Sequence, residues 1–298
     1  MKVDRQTCML YNILLYIILI GGITVSFKIS LAGDLGSGKS TVSRIIIART
    51  GAEYYSTGTV CRKMAAEHGM TIDEFNRYME THPETDKLID DGLRALSDDP
   101  RSLIIDSRMA FHFVKNTFRV YLTTDPMVSA ARILADKRAG ESFDTVEETA
   151  KRVSARRASE NFRYFEKYGV HIMDMQNYDL VLDTTDIAPE TVADLILTSL
   201  SEWEADSNKK FCYLGYRRFY ANNAPAQVET AAIARTIDLG GKAPVPTVFE
   251  DGGRYYILNG TETVLAHRIA GKAPVPCDLI APTDKNTEGY SPLFEDDQ

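Results

Sequence analysis

Residues 24–42 read TVSFKISLAGDLGSGKSTV, and this stretch decides the fold. Val25, Phe27, Ile29 and Leu31 fall at every second position, the spacing of a buried strand. The strand runs into Gly33, and Gly38-Lys39-Ser40 completes the pattern G-x-x-x-x-G-K-[ST] where a helical segment begins. Glycines at those places let the backbone turn sharply and aim its N–H groups inward. The helix that follows adds its positive end, so the loop is suited to holding phosphate. The expected cradle comprises Gly33, Asp34, Leu35, Gly36, Ser37, Gly38, Lys39, Ser40 and Thr41, with ATP as the expected ligand. Lys39 is expected at the β- and γ-phosphates, and the Ser40 hydroxyl on Mg²⁺.

Working outward, short apolar runs alternate with helical patterns from Thr24 to about Trp203. The expected strands are 24–33, 52–56, 102–107, 118–124 and 178–185. Helix-length segments lie between them at 39–50, 57–68, 71–78 and 126–138, and 189–205 closes the series. This alternation predicts an α/β fold, a P-loop parallel sheet with helices on both faces, spanning 25–203. Residues 204–210, EADSNKK, are polar and read as a linker. A second, small α/β module is expected over 211–282. Within it GKAPVP occurs at 241–246 and again at 271–276, each time between a helical segment and a strand-like run. We read it as one helix-to-strand junction used twice. The tail 283–298 is polar and acidic and is expected to lack order.

Composition bounds the rest. The chain has 298 residues, enough for two domains, and its formal charge of −8 argues against a broad nucleic-acid surface. The four cysteines, Cys8, Cys61, Cys212 and Cys277, show no ligand spacing. They suit a reducing cytosol and mark no zinc site. Residues 8–27 form an apolar run about as long as a membrane span. Its last part is the first strand, however, and Lys2 and Arg5 would place the remainder on the side away from ATP. The expectation is an N-terminal extension over 1–24, no membrane span and a cytoplasmic location.

The loop alone does not name a reaction. No base-recognition motif of the GTPase type is present, and an arginine-rich segment lies late in the first domain. Those features favour a nucleoside monophosphate kinase. Asp106 ends a strand at the carboxyl edge, where open α/β sheets bind ligands, so its carboxylate can hold Mg²⁺ through water. Arg108, two residues on, is placed to meet an acceptor phosphate with its planar fork. Arg156, Glu160 and Arg163 fall at i, i+4 and i+7 on one helical face, within an expected lid from 140 to 169. Phosphoryl transfer needs positive charge around the migrating group, so Arg156 and Arg163, with Lys39 and Asp106, are the expected catalytic residues.

Beyond the loop, YYSTGTVCRKMA (54–65), HGMTIDEFNRY (68–78), IIDSRMAFHF (104–113), RRASENFRYFEKYGV (156–170) and YDLVLDTT (178–185) occur in an order that resembles the cytidylate kinase family, especially its shorter archaeal-type branch. The resemblance covers roughly 25–203. It implies transfer of the ATP γ-phosphoryl group to CMP or dCMP. It also implies that Thr57 and Arg62 line the monophosphate site, that the acid at Glu160 contacts the acceptor nucleotide, and that Arg132 is a phosphate-side arginine. Arg152 and Arg157 are alternatives for that last role. In the longer bacterial enzymes the lid acid is Asp and a subdomain is inserted, whereas here the acid is Glu and the insertion is lacking. Base preference is therefore open. Residues 211–280 are similar to the ParB N-terminal fold, also seen in sulfiredoxins, in VETAAIARTI, RYYILNG and TVLAHRIAG. Where that superfamily carries a phosphate-binding arginine this chain has Gly260-Thr261-Glu262-Thr263. His267 and Arg268 come one turn later. A protein partner, or a nucleotide product, is what such a module would recognise. Two other readings stand beside the main one: a kinase of another small acceptor, and a regulatory protein that binds nucleotide with little turnover.

Overall fold

The computed structural model describes residues 26–135, 145–281 and 286–294. The expected apolar extension, the start of the expected lid (140–144) and parts of the expected tail (283–285 and 295–298) lie outside the described residues. In chain order the main elements are β1 (Lys28–Gly33), α1 (Lys39–Thr50), β2 (Glu53–Ser56), α2 (Thr57–Glu67), α3 (Ile72–Thr81), α4 (Pro83–Ala95), β3 (Leu103–Asp106), α5 (Ala110–Phe113), β4 (Phe118–Thr123), α6 (Pro126–Ala135), α7 (Val146–Tyr168), β5 (Leu180–Asp183) and α8 (Pro189–Ala205). There follow β6 (Phe211–Leu214), β7 (Phe219–Ala221), α9 (Gln227–Asp238), β8 (Thr247–Asp251), β9 (Arg254–Asn259), α10 (Thr261–Ile269), β10 (Val275–Pro276), β11 (Asp278–Ile280) and β12 (Ser291–Pro292). Local signals set many of the boundaries. Ser56 and Thr145 cap α2 and α7 with their hydroxyls, Thr71 and Glu74 form a capping box at α3, and α1 and α7 stop at left-handed Gly51 and Gly169.

Seven strands form the main sheet in the order β10-β6-β5-β4-β1-β3-β2, and all but β10 run parallel. Its central strands are buried on both faces, as parallel strands must be when helices cross over them. Ile29, Leu31, Val120, Leu122, Leu180 and Leu182 face α1 and α8, meeting Val42, Ile46, Val192 and Ile196. Residues one step out of phase, among them Ala32, Leu103, Ile105, Tyr121 and Val181, face the other way. There they join Leu93 of α4 and Phe111 and Phe113 of α5, and the same cluster continues into Phe219, Val248, Tyr255 and Ile257 of the C-terminal half.

This continuity corrects the expected division. Residues 204–210 do not separate two cores: they are the end of α8 and a turn, after which β6 pairs with β5 in the kinase-type sheet. The second sheet, β11-β8-β9-β7-β12, covers part of the first sheet's second face. A polar turn and a polar linker have the same composition, so only the strand pairing tells them apart. The repeated GKAPVP lies between a helix and a strand both times, but the two copies are not one junction used twice, since the second itself contains β10, paired with β6 in the main sheet. The first copy leads from α9 into β8 and the second from α10 towards β11, and those two strands pair in parallel with Thr247 opposite Asp278. The described part of the tail, 286–294, also departs from expectation. β12 pairs with β7, the Leu293 N–H donates to the Phe219 carbonyl at 2.9 Å, and Arg268 lies over the Phe294 ring at 4.3 Å. Its apolar Leu293-Phe294 pair outweighs its polar surroundings.

Candidate active site

The phosphate loop is shaped by what it cannot accommodate. A Cβ at Gly33 would lie 2.3 Å from the Leu122 carbonyl oxygen, and one at Gly36 would lie 2.8 Å from that of Ser129. Both positions have positive φ, so glycine is needed twice over. Gly38 is different: its φ is 84°, nothing lies within 4 Å of where its Cβ would be, and it caps α1 with no side-chain hydrogen bond. No side chain caps the first turn of α1, where the Thr41 and Val42 N–H groups donate to the Gly38 carbonyl at 3.0 Å, and an uncapped helix start of this kind suits phosphate. The loop is held from outside through its carbonyls. Ser129 donates to Leu35 O at 2.5 Å and Thr184 to Ser37 O at 3.0 Å. Lys39 Nζ donates to the carbonyls of Gly33 and Asp34 at 3.0 and 2.8 Å, folded back over the loop. Ser40 is exposed at the second position of α1, free of the core.

Asp34 contributes backbone to the loop, but its side chain turns the other way. Only 7% exposed, the carboxylate accepts from Tyr121 Oη at 2.7 Å, Thr123 Oγ1 at 3.0 Å and the Thr124 N–H at 3.0 Å. Arg157 pairs with it at 3.2 Å. Arg157 is therefore committed to the loop's underside rather than to a phosphate. Burial, with the Asp34 charge next, pushes the Tyr121 hydroxyl well above its ordinary range and keeps it a donor. Arg132 takes a comparable place. Its guanidinium donates to the Thr184 and Thr185 carbonyls at 2.8 and 2.9 Å and to Gly36 O at 3.4 Å. Expected as a phosphate-side arginine, it lies beside the loop and bridges it to the end of β5.

On the acceptor side, Asp106 stands at the end of β3, where Tyr54 Oη donates to its Oδ2 at 2.6 Å. Burial and this carboxylate raise the Tyr54 hydroxyl far above its usual value. Arg108 pairs with Glu160 of α7, and Arg156 Nε donates to the same carboxylate oxygen at 3.1 Å. Arg108 and Glu160 both line a cavity of about 40 Å³ between the phosphate loop and α7, whose wall also includes Tyr121, Met173 and Tyr178. Thr57 opens α2, and Arg62, one turn on, donates to Thr59 Oγ1 at 3.1 Å. Burial, then Asp86, pushes the Cys61 thiol up, while Arg62 and Arg163 oppose the shift. Of the expected residues, Arg108, Glu160 and Arg156 converge on one another, while Arg62 stands on α2 beside Thr59 and Arg163 lies over the neighbouring Tyr164 ring at 5.2 Å.

Several hydroxyl contributors escaped the sequence reading, Tyr121 and Thr123 on the Asp34 carboxylate among them. Ser129 and Thr184 brace the loop, and Tyr54 holds Asp106. Their signal is weak because a hydroxyl at a strand end or first helical turn usually serves only as a local cap.

A family model described as an AAA domain matches residues 29–153. A curated cytidylate kinase of Thermoplasma volcanium is 38% identical over 179 residues, 59% of this chain and 92% of that protein. That of Archaeoglobus fulgidus is 33% identical over 174 residues, 58% of this chain and 94% of that protein. An S-adenosylmethionine-dependent nucleotide dehydratase of Lacinutrix mariniflava is 37% identical over 171 residues, but these make up only 35% of its length. The phosphate loop, the sheet that carries it and near full-length coverage of two such kinases agree: over its N-terminal part, the chain belongs to the cytidylate kinase family of P-loop phosphotransferases.

Proposed function

We propose that the protein transfers the γ-phosphoryl group of ATP to CMP or dCMP. The observation that carries this reading is the pairing of a glycine-shaped phosphate loop with Asp106 and the Arg108-Glu160-Arg156 cluster, in a chain that covers 92% of a curated cytidylate kinase. Lys39, resting on two loop carbonyls, is a three-proton donor that can turn to the β- and γ-oxygens without leaving the loop. Ser40 and Asp106 would hold Mg²⁺, which when bound neutralises charge on the phosphate oxygens. Arg62 and Arg108 suit the acceptor phosphate, and Arg156 and Arg163 the developing charge between donor and acceptor. No general base is required, because the acceptor phosphate is already an anion at neutral pH. Positioning and charge neutralisation do the work. Arg108 and Arg156 meet at Glu160 before substrate is present, so an acceptor phosphate would take over a guanidinium that α7 already holds in place.

The ParB-like reading of 211–280 belongs to the same proposal, in a narrower form. Thr261 and Thr263, where the superfamily's phosphate site would lie, are each 1% exposed, and Thr261 Oγ1 donates to Asn223. His267 Nδ1 lies 3.1 Å from the Lys272 carbonyl, and burial lowers its pKa. These are the contacts of a structural helix. We therefore read the segment as support for the kinase sheet rather than as a nucleotide sensor. Coupled ADP release over CMP, dCMP, UMP, AMP, GMP and small alcohols tests the function. Turnover with CMP or dCMP above the rest is expected, and turnover with an alcohol alone would give the acceptor to another class.

A further inference from the structure

A buried arginine of the C-terminal segment reaches the underside of the phosphate loop. Arg218, just before β7, is 4% exposed although its neighbour Arg217 is in solvent. Its Nη2 donates to the Gly253 carbonyl at 2.6 Å and to Thr123 Oγ1 at 3.2 Å. Its Nη1 lies 3.6 Å from Asp183 Oδ1, and the guanidinium stands 5.5 Å from the Tyr255 ring centre. Asp183, at the end of β5 and fully buried, also accepts from the Gly215 N–H at 3.1 Å and Thr185 Oγ1 at 2.5 Å.

The proton count gives this chain a direction. A guanidinium has donors only, so Thr123 must accept from Arg218 with a lone pair. Its single hydroxyl proton is then free for one partner, and Asp34 Oδ2 lies 3.0 Å away. Arg218 thereby sets the hydroxyl rotor that holds the loop carboxylate. Charge is balanced as well: Asp34 and Asp183 face Arg157 and Arg218, so removing one cation leaves a buried carboxylate uncompensated. The carbonyl of the same Asp34 accepts from Lys39 Nζ at 2.8 Å.

We propose that Arg218 is a positioning residue for the phosphate loop. Acting through Thr123 and Asp34, it makes the ATP-binding shape of the loop depend on the docked C-terminal segment. The inference rests on the reading of the loop as the ATP site.

The test uses the full chain and direct binding of an ATP analogue that is not turned over, alongside KM for CMP and the thermal midpoint. Thr123→Val removes the hydroxyl at nearly constant shape, and Thr123→Ser keeps it. The expected result is analogue binding about tenfold weaker in Thr123→Val, the size of one lost charge-assisted hydrogen bond, with KM for CMP within about twofold of the parent protein. Thr123→Ser should restore the analogue affinity. A merely structural role would lower the midpoint and shift both ligands together. Arg218→Met with Asp183→Asn, which removes both charges at once, should show the same analogue-selective loss. Parent-like analogue affinity in Thr123→Val, or a Thr123→Ser protein as weak as the valine variant, overturns the proposal. If the unaltered protein fails to bind the analogue, the ATP-site reading itself falls, and that outcome is distinct from the other two.

Discussion

At the scale of single residues, the site divides into groups that face the ligands and groups that hold the loop. Lys39 belongs to the first. Its replacement by Ala removes the cation at the β- and γ-phosphates while leaving the glycine-shaped loop intact, so turnover should nearly vanish with the fold preserved by circular dichroism. Arg163→Ala is the sharper test, because its expected signature is in kcat. A donor aimed at developing charge should cost on the order of 10²-fold in kcat. A rise confined to KM would make it a uniform binding contact instead.

Among the elements, β4, β5 and β6 are tied together by one fully buried carboxylate. Asp179 accepts from the Arg119 backbone N–H, from Arg119 Nε at 2.9 Å and Nη2 at 2.6 Å, and from Lys210 Nζ at 3.2 Å. Arg119→Ala leaves that charge without its forked partner and should destabilise the protein by about 3 kcal/mol, read from a urea midpoint. Lys210 alone, half exposed and shared with the Gln176 and Tyr178 carbonyls, gives Asp179 a single bond and cannot replace a bidentate pair. A second expectation concerns pH. His112 on α5 lies against Phe113 and Tyr168, and burial, then the Arg94 charge, lowers its pKa, with Asp90 opposing. The unfolded chain therefore takes up a proton first as pH falls through about 6.5. The folding contribution of the neutral ring is present above that value and lost below it. The thermal midpoint should drop between pH 7.5 and 5.5, and the drop should be smaller in His112→Gln.

For the molecule as a whole, the joining of the two halves is the decisive feature. Cutting the chain after residue 204 would bare the β5 edge to solvent and strip Phe219, Tyr255 and Val275 from the shared cluster. Each such side chain is worth roughly 1.5–3 kcal/mol of burial, against a total stability of about 5–15 kcal/mol. A chain of residues 26–204 should thus show no cooperative unfolding transition and little ATP binding. If it folded and retained the parent's affinity, both the shared core and the Arg218 proposal would be wrong. No described helix is long and apolar enough to cross a membrane.

Features written within a few neighbouring residues are legible in the amino-acid sequence by itself. The loop motif is recognised by its spacing although Leu122 and Ser129 impose its glycines; the alternation in Val25–Leu31, the Thr71-Glu74 capping box and the Pro189–Ala205 helix each depend on contacts no more than four residues apart. Local sterics and hydrogen bonding suffice for these, and the order of strands and helices then prescribes a parallel sheet. The helix-to-strand position of the GKAPVP repeat is legible in the same way, but not the pairing of its second copy, through β10, with β6. Only tertiary structure decided that residues 204–210 are a turn inside one sheet, that Leu293 and Phe294 anchor the tail, and that Arg218 is buried while Arg217 is not. Each of those outcomes depends on partners 30 or more residues away, such as Gly253, Thr123 and Asp183 around Arg218. A polar or charged residue has the same local propensities whether it ends in solvent or against a buried carboxylate. What separates the two is the low-dielectric, partner-filled environment that the assembled sheets create.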